Sequence, residues 1–129
     1  MKNLILISIT LLLTACSTAS TIKKASESKS AFDDAVYKGE EAVVNNDVSD
    51  EDAYRIFHQG ATGFVSLQTV RISAENRANE FCTRQGKVMQ VLREHTSSPP
   101  HILGNFPRIE IVFACVEFIK SETKVHNVD

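Results

Sequence analysis

The sequence predicts an α+β fold, in which one or two N-terminal helices precede a β-α-β-β unit and the helices cover one face of a small antiparallel or mixed sheet. Three features of the 129-residue chain predict this class. Two stretches before residue 61 begin with helix-capping residues, and the stretch from Ser73 to Gly86 has helical spacing and ends in glycine. Two later stretches have the apolar pattern of strands.

The N-terminus has the features of an export signal. Lys2 precedes an uncharged apolar run, residues 4–13, and small residues follow that run. About ten apolar residues match the central region of a secretory signal, whereas a transmembrane helix needs about 20. Residues 1–15 are therefore predicted to be a signal peptide.

The sequence Leu13-Thr14-Ala15-Cys16 resembles the lipobox of bacterial lipoproteins. This resemblance covers residues 1–17 and implies that Cys16 is lipidated and becomes the first residue after cleavage. At the next position, where aspartate would favour inner-membrane retention, the chain has serine, which implies sorting to the outer membrane. Several acyl chains give a lasting anchor because each buried CH₂ contributes about 0.8 kcal/mol.

The next residues predict a tether and then an acidic helical segment. Residues 16–31 contain mainly Ser, Thr, Ala and Lys, which is typical of a flexible tether. Two helices are expected over residues 32–60. In the first, Ser30 and Asp33 have the spacing of a capping box, and in the second Ser49 or Asp50 is the candidate N-cap.

Charge is unevenly distributed along the chain. Residues 25–52 contain nine acids and two lysines, whereas residues 53–129 carry nine basic side chains and seven acids. We interpret the acids as solvated helix faces, with an acidic docking segment as the alternative. The slightly basic remainder falls well short of a nucleic-acid-binding footprint, so no nucleic-acid partner is expected.

Residues 61–120 are predicted to form the α+β core, and residues 121–129 a C-terminal tail. The alternation in FVSLQTVRI predicts a half-buried strand, and the following residues predict a helix capped by Ser73 and ended by Gly86. The stretch KVMQVLREH predicts a second strand. Apolar residues on both sides of RIEIVFACVEFI predict a central strand that is covered on both faces.

Two cysteines remain once Cys16 is assigned to the lipid anchor. In an oxidising compartment, Cys82 and Cys115 are expected to form a disulfide that joins the helix to the central strand. Such a bridge would contribute on the order of 3 kcal/mol to the stability of a small domain. The alternative is a nucleophilic thiol, which would need a base such as His95 and a lowered pKa.

The long connection TSSPPHILGNFPR is the candidate binding element. Loops of about a dozen residues between strands are often functional. Four of its residues are candidate partner contacts: Pro100, Ile102, Leu103 and Phe106. Two interpretations remain open, because the apolar side chains could fold back as a lid on the sheet or point outward and dock a partner.

Signals for catalysis, metal or cofactor are weak. His95 and His101 flank the loop, but no further ligand completes a metal site at recognisable spacing, and Glu94 beside His95 has no accompanying nucleophile motif. No metal and no cofactor are therefore expected.

The expected protein is an outer-membrane-anchored lipoprotein that faces the periplasm and carries a non-enzymatic binding or structural domain. In its lipobox, tether and cysteine pair it resembles small disulfide-containing envelope lipoproteins that sense stress or help assembly, and this resemblance implies an envelope protein as partner. Those proteins carry a proline-rich tether and more cysteines, which this chain lacks. The alternatives are an exported hydrolase inhibitor that uses residues 97–107 and a small hydrolytic enzyme.

Overall fold

The computed structural model describes residues 18–118, which form a six-stranded antiparallel sheet with one helix packed on one face. The strand order is β1-β4-β6-β5-β3, and β2 also pairs with β4. In chain order the elements are β1 (Thr18–Ala19), β2 (Lys23–Lys24), β3 (Glu40–Val43), β4 (Ala53–Gln59), α1 (Leu67–Thr83), β5 (Val88–Thr96) and β6 (Arg108–Val116).

The predicted fold class is wrong, because the described chain is mostly β and lacks the expected N-terminal helices. The capping box forms only a turn, in which the Ser30 N–H donates to Asp33 Oδ2 at 3.2 Å. The second expected helix begins with a similar turn, in which Ser49 Oγ accepts from the Glu51 N–H at 3.3 Å. From Ala53 the chain pairs with β6 over seven consecutive residues, and this long-range pairing overrides the local helix signals.

The helix begins earlier than predicted and replaces the expected strand at residues 64–72. Ser66 is the N-cap, since its Oγ accepts from the Thr69 N–H at 3.0 Å, and Ser73 lies inside α1. The buried residues recur every four positions along one face: Val70, Ala74, Ala78 and Cys82. The strands predicted from Lys87 and from Arg108 are confirmed as β5 and β6, and β6 ends at Val116.

The expected tether is part of the sheet from Thr18 onward. Strands β1 and β2 pair with the edge of β4, and Ala25 is buried in the core. Two hydrogen bonds of 2.9 Å join Ser20 and Phe57: the Ser20 N–H donates to the Phe57 carbonyl oxygen, and the Phe57 N–H donates to the side-chain Oγ of Ser20. The composition predicted flexibility, but pairing with an exposed strand edge orders these polar residues.

The central strand β6 is covered on both faces, as its sequence predicts. On one face, Ile109, Ile111 and Phe113 pack against α1, and on the other, Val112 and Ala114 form a second cluster. The Cys82–Cys115 disulfide is confirmed, with the two Cα atoms 5.2 Å apart. No helix among residues 18–118 has the length and apolar composition needed to cross a bilayer.

Candidate functional site

Three connections meet at one end of the sheet, which we call the loop end. Strand β4 finishes there at Gln59, directly opposite Arg108 at the start of β6. Strand β5 also finishes there at Thr96, opposite Glu40 at the start of β3. The connections are residues 36–39, 60–66 and 97–107.

Asn105 holds the long loop in a fixed shape. Its side chain is buried, and its Nδ2 donates to the Pro100 carbonyl oxygen at 2.8 Å and to that of Ser98 at 3.0 Å. Ser97 is also buried, and its Oγ accepts from the Arg108 N–H at 3.0 Å. These bonds close the loop at its base, so it projects as a fixed structure.

Backbone contacts tie the neighbouring connections to this loop. The Gly60 N–H donates to the Pro107 carbonyl oxygen at 2.7 Å. A Cβ at Gly63 would lie 2.0 Å from the His101 carbonyl oxygen, so this close approach requires glycine. The connection that carries Phe64 and the connection that carries Leu103 therefore form one continuous structure.

The loop end exposes large apolar side chains. Phe64 is 100% exposed, Val36 90%, Leu103 89% and Ile102 59%. Two open depressions, of about 640 Å³ and about 480 Å³, lie between them and share Ile102 and Leu103. Of the described residues that line them, one is charged, Lys38, and none is acidic. We call this the loop-end surface: Val36, Tyr37, Phe64, Pro100, Ile102, Leu103 and Phe106.

The structure places the four predicted partner contacts together on this surface. Pro100, Ile102 and Leu103 are exposed, and Phe106 is half-buried. Ile102 and Leu103 do not fold back as a lid on the sheet, because their side chains are exposed to solvent.

Sequence reasoning missed three members of the surface: Val36, Tyr37 and Phe64. Phe64 was assigned to a strand and Val36 to a helix, and neither prediction indicated a surface role. A usable signal for Phe64 is its position between Gly63 and the N-cap Ser66, which is typical of a loop before a helix.

Leu103 adopts an unusual backbone conformation at the tip. Its φ of 50° lies in the left-handed region, and Gly104 follows with φ 85°. This region costs a non-glycine residue about 1 kcal/mol. The loop therefore presents a large apolar side chain at a position where local preference favours glycine or asparagine.

Burial lowers the pKa of His58, and the positive charge of Arg77 lowers it further. The imidazole is buried under α1, and its Nε2 lies 2.9 Å from an Arg77 nitrogen. A guanidinium only donates, so Nε2 accepts and the proton of the neutral ring sits on Nδ1. Within the described part of the chain, Nδ1 has no hydrogen-bond partner.

A buried ion pair lies on the sheet face opposite α1. Glu110 is 4% exposed, and its Oε1 accepts from Arg55 at 2.8 Å while its Oε2 accepts from the Ala31 N–H at 2.7 Å. Both carboxylate oxygens are thus engaged, and Oε2 holds the N-terminal segment on the sheet through the Ala31 N–H. Phe32, also in this segment, stacks on His95 with 3.8 Å between ring centroids.

The residues considered for chemistry lie apart. Glu94 and His95 are adjacent on β5 and so face opposite sides of the sheet, where Glu94 pairs with Arg71 and His95 stacks on Phe32. His101 Nε2 lies 3.0 Å from Ser97 Oγ. In residues 18–118 no group of three His, Cys, Asp or Glu side chains could hold a metal ion.

Neither cysteine of the bridge has a free thiol, which removes the nucleophilic-thiol alternative for the oxidised protein. The predicted lipidation site, Cys16, lies outside the described residues. No family model, curated protein or solved structure matches this chain. The function is therefore inferred from its own residues, among which the loop-end surface is the most distinctive feature.

Proposed function

We propose that this protein is a lipid-anchored envelope protein whose β domain acts by binding through the loop-end surface. One observation carries the proposal. Large apolar side chains, which are usually buried in folded proteins, are exposed together at the loop end. Two of them, Ile102 and Leu103, lie on the loop that Asn105 fixes. Exposed apolar groups concentrated in this way mark interaction sites in soluble domains.

The anchor rests on the lipobox-like sequence that ends at Cys16. Export to an oxidising compartment agrees with the Cys82–Cys115 bridge, since disulfides persist in the periplasm and are rare in the cytosol. By the same resemblance the anchor is in the outer membrane, with the domain in the periplasm.

Binding is favoured over catalysis because two carboxylates of the neighbouring strands β5 and β6 already have structural partners. Glu110 is engaged by Arg55 and the Ala31 N–H, and Glu94 by Arg71. A catalytic acid or base has to be free to exchange a proton with a substrate.

An exported hydrolase inhibitor is the second candidate, and the presentation of Leu103 favours it. A fixed loop that projects one large side chain resembles an element that fills a pocket on another protein. The loop-end surface also contains Val36 and Phe64 from two other connections. This larger apolar area favours binding over a broad face, as in the first proposal, more than insertion of one side chain into a pocket.

Photo-crosslinking in intact cells tests the binding surface. Benzoylphenylalanine replaces Phe64 at the loop end in one variant and Phe118, 70% exposed beyond the far end of β6, in a matched control. We expect adducts from position 64 and few or none from position 118. Equal adduct yields at the two positions would contradict the proposal.

Acyl labelling tests the anchor separately. Wild-type protein should incorporate labelled palmitate, and Cys16→Ser should abolish the label and leave an unprocessed precursor. A Cys16→Ser protein that still carries the label would refute the lipoprotein assignment.

A further inference from the structure

We propose that the occupant of the loop-end surface is the lipid of the membrane itself, so that the domain rests on the bilayer with its apolar loops inserted into the interface. This inference rests on the proposed lipid anchor at Cys16 and names the binding partner of the same surface.

The position of Thr18 carries the inference. Thr18 lies opposite Gln59, the last residue of β4, so the chain enters the sheet at the loop end. Only two peptide units separate Cys16 from Thr18. They span at most about 7 Å, because each extended residue covers about 3.3–3.6 Å.

A flexible tether would have let the domain move away from the bilayer, but the first strand removes that freedom. With β1 paired to β4, Thr18 is held at the loop end, and the lipid-bearing Cys16 can lie no more than about 7 Å from it. The end of the sheet that is held close to the lipid is also the end that carries Phe64, Ile102 and Leu103. A protein partner on this surface would have to fit between the domain and the membrane.

The chemistry of the surface suits a membrane interface. Aromatic and aliphatic side chains there would lie at the boundary between headgroups and acyl chains, where an apolar face inserts about 5–10 Å. Lys38 lies at the rim of one depression, and lysine ammonium groups are attracted to anionic headgroups. No acidic side chain lines either depression among the described residues.

The opposite end of the domain carries charged as well as apolar side chains. Strand β6 separates the two ends by about 30 Å, since nine residues rise about 3.3 Å each. At the far end, charged pairs such as Arg84 with Glu80 and Lys87 with Glu117 are exposed to solvent. Val88 and Phe118 are also exposed there, so the far end mixes charged and apolar side chains, whereas no acidic side chain among the described residues lines the two depressions at the loop end.

Depth-dependent fluorescence quenching tests the inference in the full-length lipidated protein reconstituted into phosphatidylcholine and phosphatidylglycerol vesicles. The chain contains no tryptophan, so Phe64→Trp and Phe118→Trp each introduce a single reporter. At position 64 we expect emission at shorter wavelength and strong quenching by lipids brominated near the headgroup. At position 118 we expect the emission of a water-exposed indole and little quenching.

A second variant and the acyl label, both measured in the same experiment, separate loss of membrane contact from loss of the anchor. Adding Leu103→Asn to Phe64→Trp removes an apolar contact with a residue that tolerates a positive φ, and should reduce quenching while the fold persists. If acyl-labelled protein shows unquenched, water-like emission at position 64, the loop end does not insert into the membrane, although the lipid anchor is present. Absence of the acyl label would instead refute the proposed function on which the inference rests.

Discussion

The Asn105 side chain donates to the carbonyl oxygen of Pro100 at 2.8 Å and thereby joins the two arms of the loop that carries Ile102 and Leu103. A second bond from the same nitrogen, to Ser98, fixes the loop at its base. The shape of the loop that carries Ile102 and Leu103 therefore depends in part on one buried carboxamide.

Asn105→Ala should destabilise the domain and loosen the loop. The substitution leaves two partly buried carbonyl oxygens without a donor, which costs about 1–3 kcal/mol. Urea unfolding should show that loss, and hydrogen exchange should speed up within residues 97–107. Asn46→Ala, at an exposed asparagine, is the matched control and should change neither measurement.

Stability should fall as the pH is lowered below about 6.5 because of His58. Burial and Arg77 lower the pKa of His58 in the folded state, so the unfolded chain binds the proton more readily. Stability therefore rises with pH through the window that starts at the folded pKa and ends near 6.5, the ordinary histidine value. Urea midpoints measured at pH 7.5 and pH 5.5 should differ less in His58→Gln than in wild type. An unchanged difference would assign the effect to other groups.

Reduction of Cys82–Cys115 should lower the melting temperature by about 10 °C or more. The bridge closes a loop of 33 residues and is expected to contribute about 2–4 kcal/mol. Calorimetry with and without reductant measures the shift, and a Cys82→Ala/Cys115→Ala double variant should melt near the reduced wild type. Two reactive thiols in the denatured, unreduced protein would show that the bridge does not form.

Glu110→Gln should be strongly destabilising, because it leaves the half-buried Arg55 guanidinium without its anion. Removing one partner of a buried pair costs about 3 kcal/mol or more. The double variant Arg55→Met/Glu110→Gln should recover part of this loss in urea unfolding, since it buries no unpaired charge. A double variant no more stable than Glu110→Gln would indicate that the contact between Glu110 and the Ala31 N–H matters more than the ion pair.

The central strand and the bridge could be predicted because their signals do not depend on the rest of the fold. In β6, apolar residues on both sides fit only a strand that is covered on both faces. The cysteine pair followed from compartment and count alone. These predictions needed no knowledge of which strands would become neighbours.

The N-terminal half was predicted wrongly because its local signals suit two structures. Ser30 with Asp33, and Ser49 with the acids after it, start helices but also make turns. In the short stretch AYRIFHQ, the spacing of Tyr54 and Phe57 suits a helix, while alternation suits a strand. Pairing with β6 decides between them, and that contact cannot be read from the stretch itself.

The binding surface was predicted only in part for a similar reason. Residues 97–107 stood out by length and composition, whereas Phe64 and Val36 join the surface only because β3, β4 and β5 meet at one end of the sheet. The apolar face from Ala74 to Cys82 predicted the helix, but Val70, which continues the same four-residue spacing by one turn, was a missed signal for its earlier start.

The most direct measurement of the central claim is the reactivity of a single cysteine at the loop end in membranes isolated from cells. Ile102→Cys at the loop-end surface and Asn79→Cys on the exposed side of α1 are each treated with a water-soluble maleimide, before and after detergent extraction. If the loop-end surface is covered in the native membrane, position 102 should be labelled slowly before detergent extraction and quickly after it. Position 79 should be labelled quickly in both states. Equal labelling rates at position 102 in membranes and in detergent would contradict the account.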